Sequence, residues 1–292
     1  MSNNVLSIIN SKTVTPVRTQ KLFPVPSLQK PFLKWAGGKT QMISDLLKFA
    51  PPKFNRYIEP FVGGGALYFN INHPKSIISD LNEELVITYN QVKRNVQDVI
   101  FVLDSYINTE EFYYRVRSIS PSSLSDTERA ARLIYLNKTC FNGLFRVNKK
   151  GHFNVPYGKR TGPFLNKENL IGASKYMQET EIFHSDYKET LIKFAKKGDF
   201  IFLDPPYQPV GKFSDFKRYT KEFFYENDQI ELANIFKHLT NKGCFVMLTN
   251  SDHPFILDLY KDYHIETIET KRLISSNPNT RTGIDIIVLG GL

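Results

Sequence analysis

Apolar and polar positions along the chain predict alternating strands and helices. Short apolar runs bounded by turn residues predict strands at 56–59, 76–80, 181–186, 199–203 and 243–249. Apolar residues at helical spacing predict helices at 40–50, 66–70, 83–103 and 225–241. Two more strands, 264–274 and 284–289, are joined by the polar segment 275–283. This order predicts an α/β fold with a mostly parallel sheet and an antiparallel carboxyl-terminal hairpin at its edge.

Segment 104–180 departs from this alternation, because it holds short helical pieces and loops. Ser125 to Glu128 fit a capping box, which predicts a helix continuing to about Asn137. We interpret 104–180 as an inserted helical domain between the two parts of the main domain, 31–103 and 181–292. Residues 1–30 contain no acidic residue and no clear period, so we expect a loosely ordered extension.

Positive charge is concentrated in one segment. The net charge is +9, and nine Lys or Arg with no Asp or Glu lie from Arg129 to Lys167, so the rest of the chain is neutral. Aromatic residues are interleaved with these cations: Tyr135, Phe141, Phe145, Phe153, Tyr157 and Phe164. Rings among cations can stack on bases, so the segment favours a nucleic acid partner over a merely solvated basic face.

Composition excludes several classes of protein. No segment of the 292 residues approaches the ~20 apolar residues of a membrane helix, and the patch Val5–Ile9 is too short for a signal peptide. Two cysteines, Cys140 and Cys244, give no disulfide framework, so we expect a cytoplasmic protein. Neither Cys-x-x-Cys nor His-Glu-x-x-His occurs, and we expect no metal.

The run Asp204-Pro205-Pro206-Tyr207 directly follows the predicted strand 199–203. Two prolines cannot continue a sheet ladder, so the strand must stop and leave a carboxylate, a carbonyl and a ring at its carboxyl end. Ligands bind at that edge of open α/β sheets. Such acceptors beside a flat ring suit a planar group with an exocyclic amine, such as adenine. By itself the run is equally consistent with a proline-rich turn.

Acids and glycines also end the other predicted strands. Glu59 begins a Glu-Pro-Phe-x-Gly-Gly-Gly turn, Asp80 lies 21 residues beyond Glu59, and Asp186 ends a third strand. That spacing is typical of an acid that binds ribose hydroxyls. Neither Gly-x-Gly-x-x-Gly nor a phosphate-binding Gly-x-x-x-x-Gly-Lys loop is present. The pattern therefore favours a nucleoside without phosphate, such as S-adenosylmethionine.

The ordered motifs resemble those of one family. They are Leu33 to Lys39, Glu59 to Gly63, Asp80 to Asn82, Asn142 to Leu144, Phe153 to Gly158, Asp204 to Tyr207, and Ser275 to Asn277. Together they closely resemble Dam-type adenine-N6 DNA methyltransferases, including restriction–modification relatives that methylate GATC. The resemblance spans about 31–290 and implies a Rossmann-like methyltransferase sheet.

The resemblance implies roles in cofactor binding and catalysis. Trp35 and Lys39 would contact S-adenosylmethionine, with Lys39 near its carboxylate, and Glu59, Phe61 and Gly63 would belong to the same site. Asp80 would bind the ribose and Asp186 the cofactor's adenine. Asp204, Pro205, Pro206 and Tyr207 would form the catalytic motif. Asp204 and the Pro205 carbonyl would accept the two N–H bonds of the amine, and Tyr207 would stack on a base extruded from the duplex.

The resemblance also implies a DNA-reading set. Phe141 matches the aromatic residue that inserts beside the flipped adenine. Asn142, Leu144, Arg146 and Pro156 match positions that read or hold the recognition sequence, and Lys34 matches a lysine that reads a guanine. Arg160 stands where close relatives have tyrosine, which puts recognition of the outer base pair in doubt. We expect Lys149, Lys150 and Lys159 to neutralise phosphates.

Alternatives remain at this point. The chain could be a DNA-binding module that has lost activity, although Asp204, Tyr207 and the Trp35–Lys39 run are intact. It could methylate an amide in protein or a base in RNA, but those enzymes usually carry Asn-Pro-Pro-Tyr. Cytosine-N4 enzymes are the nearest chemical alternative. Double-stranded DNA is the expected partner, a cognate restriction endonuclease is a possible one, and we expect a monomer.

Overall fold

The computed structural model describes residues 29–35, 37–148, 151–208, 224–271 and 282–291. Several predictions lie outside these residues. They are the extension through residue 28, the phosphate contacts Lys149 and Lys150, the motif Ser275 to Asn277, and most of the connection between the last two strands.

Seven strands form the sheet. They are β1 Tyr57–Glu59, β2 Ser76–Asp80, β3 Glu181–His184, β4 Phe200–Leu203, β5 Phe245–Ser251, β6 His264–Lys271 and β7 Thr282–Gly290. The α-helices are α1 Ile43–Phe49, α2 Tyr68–Ile71, α3 Glu83–Asp104, α4 Glu110–Ser118, α5 Asp126–Thr139, α6 Lys167–Tyr176, α7 Tyr187–Phe194, α8 Glu226–Asn241 and α9 Pro254–Leu259. Short 3-10 helices occur at Lys39–Met42, Pro121–Ser123 and Phe141–Gly143.

The strand order is β3-β2-β1-β4-β5-β7-β6. The pairs among β3, β2, β1, β4 and β5 are all parallel, whereas β7 pairs antiparallel with both β5 and β6. The predicted α/β fold, with an antiparallel carboxyl-terminal strand pair, is confirmed. The pair stands at one edge of the sheet, with β6 outermost and β7 next to β5, which it pairs from Val246 to Ser251.

The two faces of the sheet bury different clusters. Phe200 and Phe202 of β4 pack into a cluster that includes residues of α1, α3 and α5, whereas Ile201 and Leu203 pack with residues of α7, α8 and α9. Alternate residues of a strand point to opposite faces, so β4 is covered by helices on both sides. Only its carboxyl end is left for polar chemistry, and β4 stops at Leu203, where the prolines were predicted to stop it.

Segment 104–180 contributes to the first of these clusters. Leu133 and Leu136 of α5 and Leu170 of α6 are buried in the same cluster as Leu85 of α3. The predicted capping box is confirmed, since the side chains of Ser125 and Glu128 each bond the other's backbone N–H. The proposed domain boundaries at 104 and 180 stay a prediction.

The carboxyl ends of β3 and β5 are among those that differ from the sequence predictions. β3 ends at His184, and Asp186 caps α7 by accepting from the Lys188 N–H at 2.8 Å. β5 continues through Asn250 and Ser251, two residues beyond the predicted end. Both residues are buried with partners inside the protein, which allows the strand to continue past its apolar run.

Candidate functional site

The carboxyl ends of the parallel strands bring the predicted acids to one edge. Glu59 is the last residue of β1, Asp80 the last of β2, and Asp204 follows β4 directly. Because β2, β1 and β4 are parallel neighbours, these three side chains share that edge. Asp186, beyond β3, lies next to Asp80, since Ser185 donates its N–H to the Asp80 carbonyl at 3.3 Å.

Asp204 is held through one of its two carboxylate oxygens. Oδ1 lies 2.7 Å from the Nζ atom of Lys39 and accepts the Thr249 hydroxyl at 2.7 Å. Burial raises the pKa of Asp204, and the Lys39 charge opposes that rise. Within the described residues, Oδ2 receives no hydrogen bond, so it is available to an incoming N–H donor.

Lys39 contacts two residues of the run from Asp204 to Tyr207. Its side chain is only 6% exposed, and its ammonium donates to the Gly37 carbonyl at 2.5 Å. The same Nζ atom lies 4.6 Å from the centre of the Tyr207 ring. Lys39 therefore joins Asp204 to Tyr207 electrostatically, a contact that the sequence did not suggest.

Glu59 is a buried carboxyl group, 2% exposed, whose Oε2 accepts the Tyr57 hydroxyl at 2.7 Å. Burial raises its pKa well above the ordinary range, the Tyr57 hydrogen bond opposes this, and the nearby Asp204 charge adds to it. A carboxyl group in these surroundings is favoured in its neutral form.

Asp80 organises the glycine turn. Its Oδ2 accepts the Gly63 N–H at 3.0 Å and its Oδ1 accepts the Asn82 N–H at 2.9 Å. Burial raises the pKa of Asp80, and these hydrogen bonds oppose the rise. Gly63 has φ +48°, and a Cβ there would lie 2.7 Å from Cδ1 of Trp35, so glycine is required for both backbone and space.

Aromatic rings line both sides of this edge. Trp35 stacks on Phe145 with ring centres 5.0 Å apart. Phe145 belongs to the loop that runs from Lys138 to Pro163 within the basic segment, called the basic loop below. Phe61 stacks on Tyr187 at 4.9 Å, beside the Asp186 cap of α7. The predicted cofactor residues therefore lie at one edge of the sheet. Trp35 links that edge to the predicted DNA face, the surface that carries the DNA-reading residues Lys34, Phe141, Asn142, Leu144, Arg146, Pro156 and Arg160.

Lys34 anchors the predicted DNA face. Its backbone N–H and C=O bond the Asn137 side chain at 2.9 and 2.6 Å, and Asn137 also donates to the Gly143 carbonyl at 3.3 Å. A Cβ at Gly143 would lie 2.4 Å from Cδ of Lys34, so the lysine stem rests on this glycine. Burial, together with the Arg160 charge, lowers the pKa of Lys34.

Phe141 and Asn142 lie at the tip of the adjoining turn. Phe141 is 50% exposed, and its N–H donates to the Pro156 carbonyl at 2.9 Å. Asn142 has left-handed backbone, with φ 55°. Phe141, Asn142 and Pro156 are exposed, whereas Leu144 is partly buried. The structure thus presents an aromatic ring to solvent at the position predicted to insert beside a base.

Arg146 is held by Asn154. Its Nε donates to the Asn154 side-chain oxygen at 2.8 Å and its Nη2 to the Asn154 carbonyl at 3.1 Å. A guanidinium has five N–H donors, so the edge formed by Nη1 and Nη2 keeps donors for another acceptor pair. Arg160 is exposed on the same loop.

Comparison with known proteins agrees with this geometry. The family model of D12 class N6 adenine-specific DNA methyltransferases matches residues 35–274. The chain belongs to this family. It is thus an adenine-specific DNA methyltransferase.

Individual relatives cover most of the methyltransferase chain. A Type II methyltransferase of Lactococcus lactis subsp. cremoris, M1.LlaDCHI, is 40% identical over 269 residues, covering 89% of this chain and 94% of that protein. M.MjaIII of Methanocaldococcus jannaschii is 40% identical, covering 86% and 95%. The DNA adenine methylase of Escherichia coli K12 is 31% identical, covering 87% and 92%.

A solved structure, the delta-N METTL16 MTase domain, aligns with 87% of the methyltransferase and 80% of that chain. Its TM-score is 0.36 at 8% identity, too distant to bear on function. No helix in the described ranges is long and apolar enough to cross a membrane. Within those ranges there is also no group of three or more His, Cys, Asp or Glu residues that could hold a metal ion.

The sequence did not reveal several residues that support the methyltransferase site. Thr249, Asn250 and Gln229 are fully buried and contact the residues from Asp204 to Gln208, and Asn137 is fully buried beneath Lys34. Lys138 is partly buried, and this burial together with the Lys34 charge lowers its pKa to about 8. One signal was present: the run Thr249-Asn250-Ser251 directly continues an apolar core strand.

Proposed function

We propose that this methyltransferase transfers the methyl group of S-adenosylmethionine to N6 of a flipped adenine, within GATC. The observation that carries the proposal is the state of Asp204. Its Oδ1 is held by Lys39 and Thr249, its Oδ2 receives no hydrogen bond from the residues that the structure describes, and Pro205 and Tyr207 follow it directly in the chain.

The residues at the strand ends fit S-adenosylmethionine, a cationic nucleoside without phosphate. In dinucleotide sites, the backbone N–H groups of the first glycine turn bind pyrophosphate. Here the Gly63 N–H already donates to Asp80, which leaves an acidic edge made of Asp80 and Asp186, with the buried Glu59 beside them favoured in its neutral form. Such an edge repels phosphate and favours ammonium and hydroxyl donors. Asp80 would bind the ribose, Asp186 and Phe61 the adenine, and Trp35 and Lys39 the methionine end. When bound, S-adenosylmethionine supplies an electrophilic methyl group on its sulfonium.

The protein's own groups act on the target amine. The lone pair of an exocyclic amine is delocalised into the purine, so the nitrogen is a weak nucleophile. Asp204 Oδ2 and the Pro205 carbonyl would accept its two N–H bonds and favour a pyramidal nitrogen. Positioning and preorganised electrostatics then do most of the work. Asp204 is also the nearest group to hold the proton that leaves the nitrogen.

Lys39 and the flipped adenine would both contact the Tyr207 ring. The Lys39 ammonium now lies over the Tyr207 ring, the ring on which the flipped adenine would stack. The base would therefore stack on the other face of the ring, or Lys39 would move toward the methionine carboxylate.

Sequence reading would come from the DNA face. Arg pairs bidentately with O6 and N7 of guanine, and the free guanidinium edge of Arg146 suits that contact. Lys34 would read a second guanine, Asn142, Leu144 and Pro156 would hold the site, and Phe141 would fill the space left by the flipped base. Arg160 would meet the outer base pair. The basic segment 129–167 supports DNA as the partner, because it holds nine Lys or Arg and no acid of its own. Arg129 pairs with Glu83 and Lys167 with Asp104, so the cations between these two residues are the ones that would meet phosphates.

Two partner proposals follow from the relatives' names. Two of them are Type II methyltransferases, a name from restriction–modification systems, so a cognate endonuclease that cuts the same site is a reasonable partner. We further propose that the methyltransferase acts as a monomer, because the described residues of one copy carry both the strand-end acids and the predicted DNA-reading residues.

Labelled methyl transfer from S-adenosylmethionine to a duplex with one GATC site tests the proposal, beside a matched GATT duplex. We expect label only on the GATC duplex. Equal label on both would refute the specificity assigned to Lys34, Arg146 and Arg160 while keeping the chemistry. Absence of label on both, with DNA still bound, would refute the donor or the activity.

A further inference from the structure

The last three residues of β5 are polar and buried. Thr249 and Asn250 are fully buried and Ser251 is 2% exposed, in a strand that has neighbours on both sides. Burying polar groups costs free energy unless they are hydrogen-bonded. Their partners therefore indicate what the polar strand end does.

All three residues contact the segment that carries the catalytic motif. Thr249 donates its hydroxyl to Asp204 Oδ1 at 2.7 Å, and Ser251 donates its hydroxyl to the Gln208 carbonyl at 2.8 Å. The Gln208 N–H donates to Asn250 Oδ1 at 3.3 Å. The segment is thus fastened at both ends, at residue 204 and at residue 208.

Gln229 of α8 fastens the middle of the same segment. It is fully buried, and its Nε2 donates to the Pro206 carbonyl at 3.0 Å. Its Oε1 in turn accepts from Nδ2 of Asn250 at 3.0 Å. The two buried amides therefore form one chain of hydrogen bonds, from the Gln208 N–H through Asn250 and Gln229 to the Pro206 carbonyl.

The prolines explain why side chains are needed here. Pro205 and Pro206 have no N–H, so backbone acceptors cannot hold this stretch. Its carbonyls are the remaining anchors, and Gln229 takes that of Pro206. Within the described residues, no group donates to the Pro205 carbonyl, which leaves it for the target amine.

We propose that Gln229 and Asn250 are positioning residues for methyl transfer. By fixing the Pro206 carbonyl and the Gln208 N–H, they aim the Pro205 carbonyl and the Tyr207 ring at the adenine. This inference rests on the proposed function, because it concerns the two acceptors of the N6 amine. Both side chains are fully buried, so they would act through the segment that they hold.

A displaced acceptor lowers turnover more than binding. A misplacement of about 1 Å can cost roughly 100-fold in rate. We expect Gln229→Met, which is similar in volume but cannot donate, to lower kcat by about 10- to 100-fold. The KM values for DNA and for S-adenosylmethionine should stay within about threefold, because the groups that bind them remain.

Gln178→Met is the control for the chemical change, at an exposed position. Gln178 also donates from Nε2 to backbone carbonyls, those of Lys93 and Ser174, both at 2.8 Å and away from the catalytic segment. The same chemical change there should leave kcat within twofold. A Gln229→Met protein that folds and matches this control in kcat would overturn the proposal.

Gln229→Glu adds a readout that a merely structural role would not move. A protonated Glu can still donate to the Pro206 carbonyl, and an ionised one cannot. We therefore expect the ratio of its kcat to that of the wild type to rise as pH falls. A ratio that is low and independent of pH would overturn the proposal, and it decides the matter if Gln229→Met does not fold.

Failure of the proposed function would be recognised separately. It would appear as absence of methyl transfer in the wild type. The positioning role can then be tested by amide hydrogen exchange, in which Gln229→Met should expose the Gln208 N–H while Gln178→Met should not. Unchanged protection of Gln208 in both variants would count against it.

Discussion

The strand-end site and the DNA face are built in different ways. At the strand ends, Asp204, Glu59 and Asp80 are each held by named side-chain or backbone hydrogen bonds, and burial raises the pKa of each. On the DNA face, Phe141, Pro156 and Arg160 are exposed, and they are held chiefly through their backbones.

We interpret this difference as a separation of the proposed chemistry from the proposed recognition. A preorganised site needs its reacting groups fixed before the substrate arrives, because reorganisation during the reaction costs rate. A reading surface instead needs donors left open until a base edge provides the acceptor. The two regions meet where Trp35 stacks on Phe145. Variants at the strand ends should therefore change turnover, and variants on the loop should change site choice.

Asp204→Ala should have the largest effect. Removing the acceptor of the target amine should lower single-turnover methylation by at least about 1,000-fold, because both the hydrogen bond and the charge are lost. DNA affinity, measured by fluorescence anisotropy, should stay within a few fold. Retained methylation would exclude Asp204 as the group that binds the amine.

Lys39→Met should come next. Only the Lys39 charge and nearby hydrogen bonds oppose the burial that raises the pKa of Asp204, so removing Lys39 should raise this pKa further. Ionised Asp204 is the better acceptor, so the acid limb of the pH–rate profile should move to higher pH, with a loss of about 10- to 100-fold at pH 7.

Lys48→Met is the control for this change, since Lys48 is exposed and contacts the Phe49 ring. It should leave the profile unchanged. An acid limb that stays in place in Lys39→Met would mean that Lys39 does not tune Asp204.

Arg146→Ala should have an intermediate effect of a different kind. We expect a loss of ~1–3 kcal/mol on the correct site and relaxed discrimination at one guanine position. Lys159→Ala, a change at an exposed cation of the same loop, should weaken binding to all sequences alike and reduce the salt dependence. Equal weakening on all sequences by Arg146→Ala would make Arg146 a phosphate contact.

Glu59→Gln should have the smallest effect on turnover, so its effect is measured as a change in the free energy of unfolding. Because burial raises the pKa of Glu59, its contribution is fully present below the unfolded pKa of about 4.5 and is lost as pH rises through the folded pKa. The glutamine does not titrate but still accepts the Tyr57 hydroxyl. We expect Glu59→Gln to match the wild type within about 1 kcal/mol at pH 4 and to be more stable than the wild type near neutral pH, so its unfolding free energy should depend less on pH.

Thermal melts across pH 4 to 8 would show this effect. A loss of several kcal/mol in Glu59→Gln at neutral pH would mean that Glu59 is ionised when folded. Glu59→Ala serves as the comparison, because it also removes the acceptor of the Tyr57 hydroxyl.

The sequence predicted the acids of the strand-end site but not the side chains that hold them. Asp80 and Asp204 could be assigned to one sheet edge because each ends a predicted strand, and parallel strands end together. The partners of these acids could not be assigned. Lys39 and Thr249 meet Asp204 from distant parts of the chain, and sequence periodicity indicates burial without naming a partner.

The order of the strands in the sheet and the polar end of β5 were harder to predict from the sequence. Nothing local in 282–290 indicates that β7 pairs with β5 as well as β6, because strand pairing depends on tertiary contacts. The apolar run predicts a strand that ends at Thr249, before the polar residues Asn250 and Ser251. They continue it because Gln208 and Gln229 satisfy their side chains.

Nucleoside mass spectrometry after reaction with trideuteromethyl S-adenosylmethionine tests the central claim most directly. A duplex with one GATC site would be treated with the wild type or with Asp204→Ala, digested and analysed. We predict trideuterated N6-methyladenine from the wild type and none from Asp204→Ala. A methyl group on cytosine, or equal N6-methyladenine from both proteins, would contradict the account of the strand-end site.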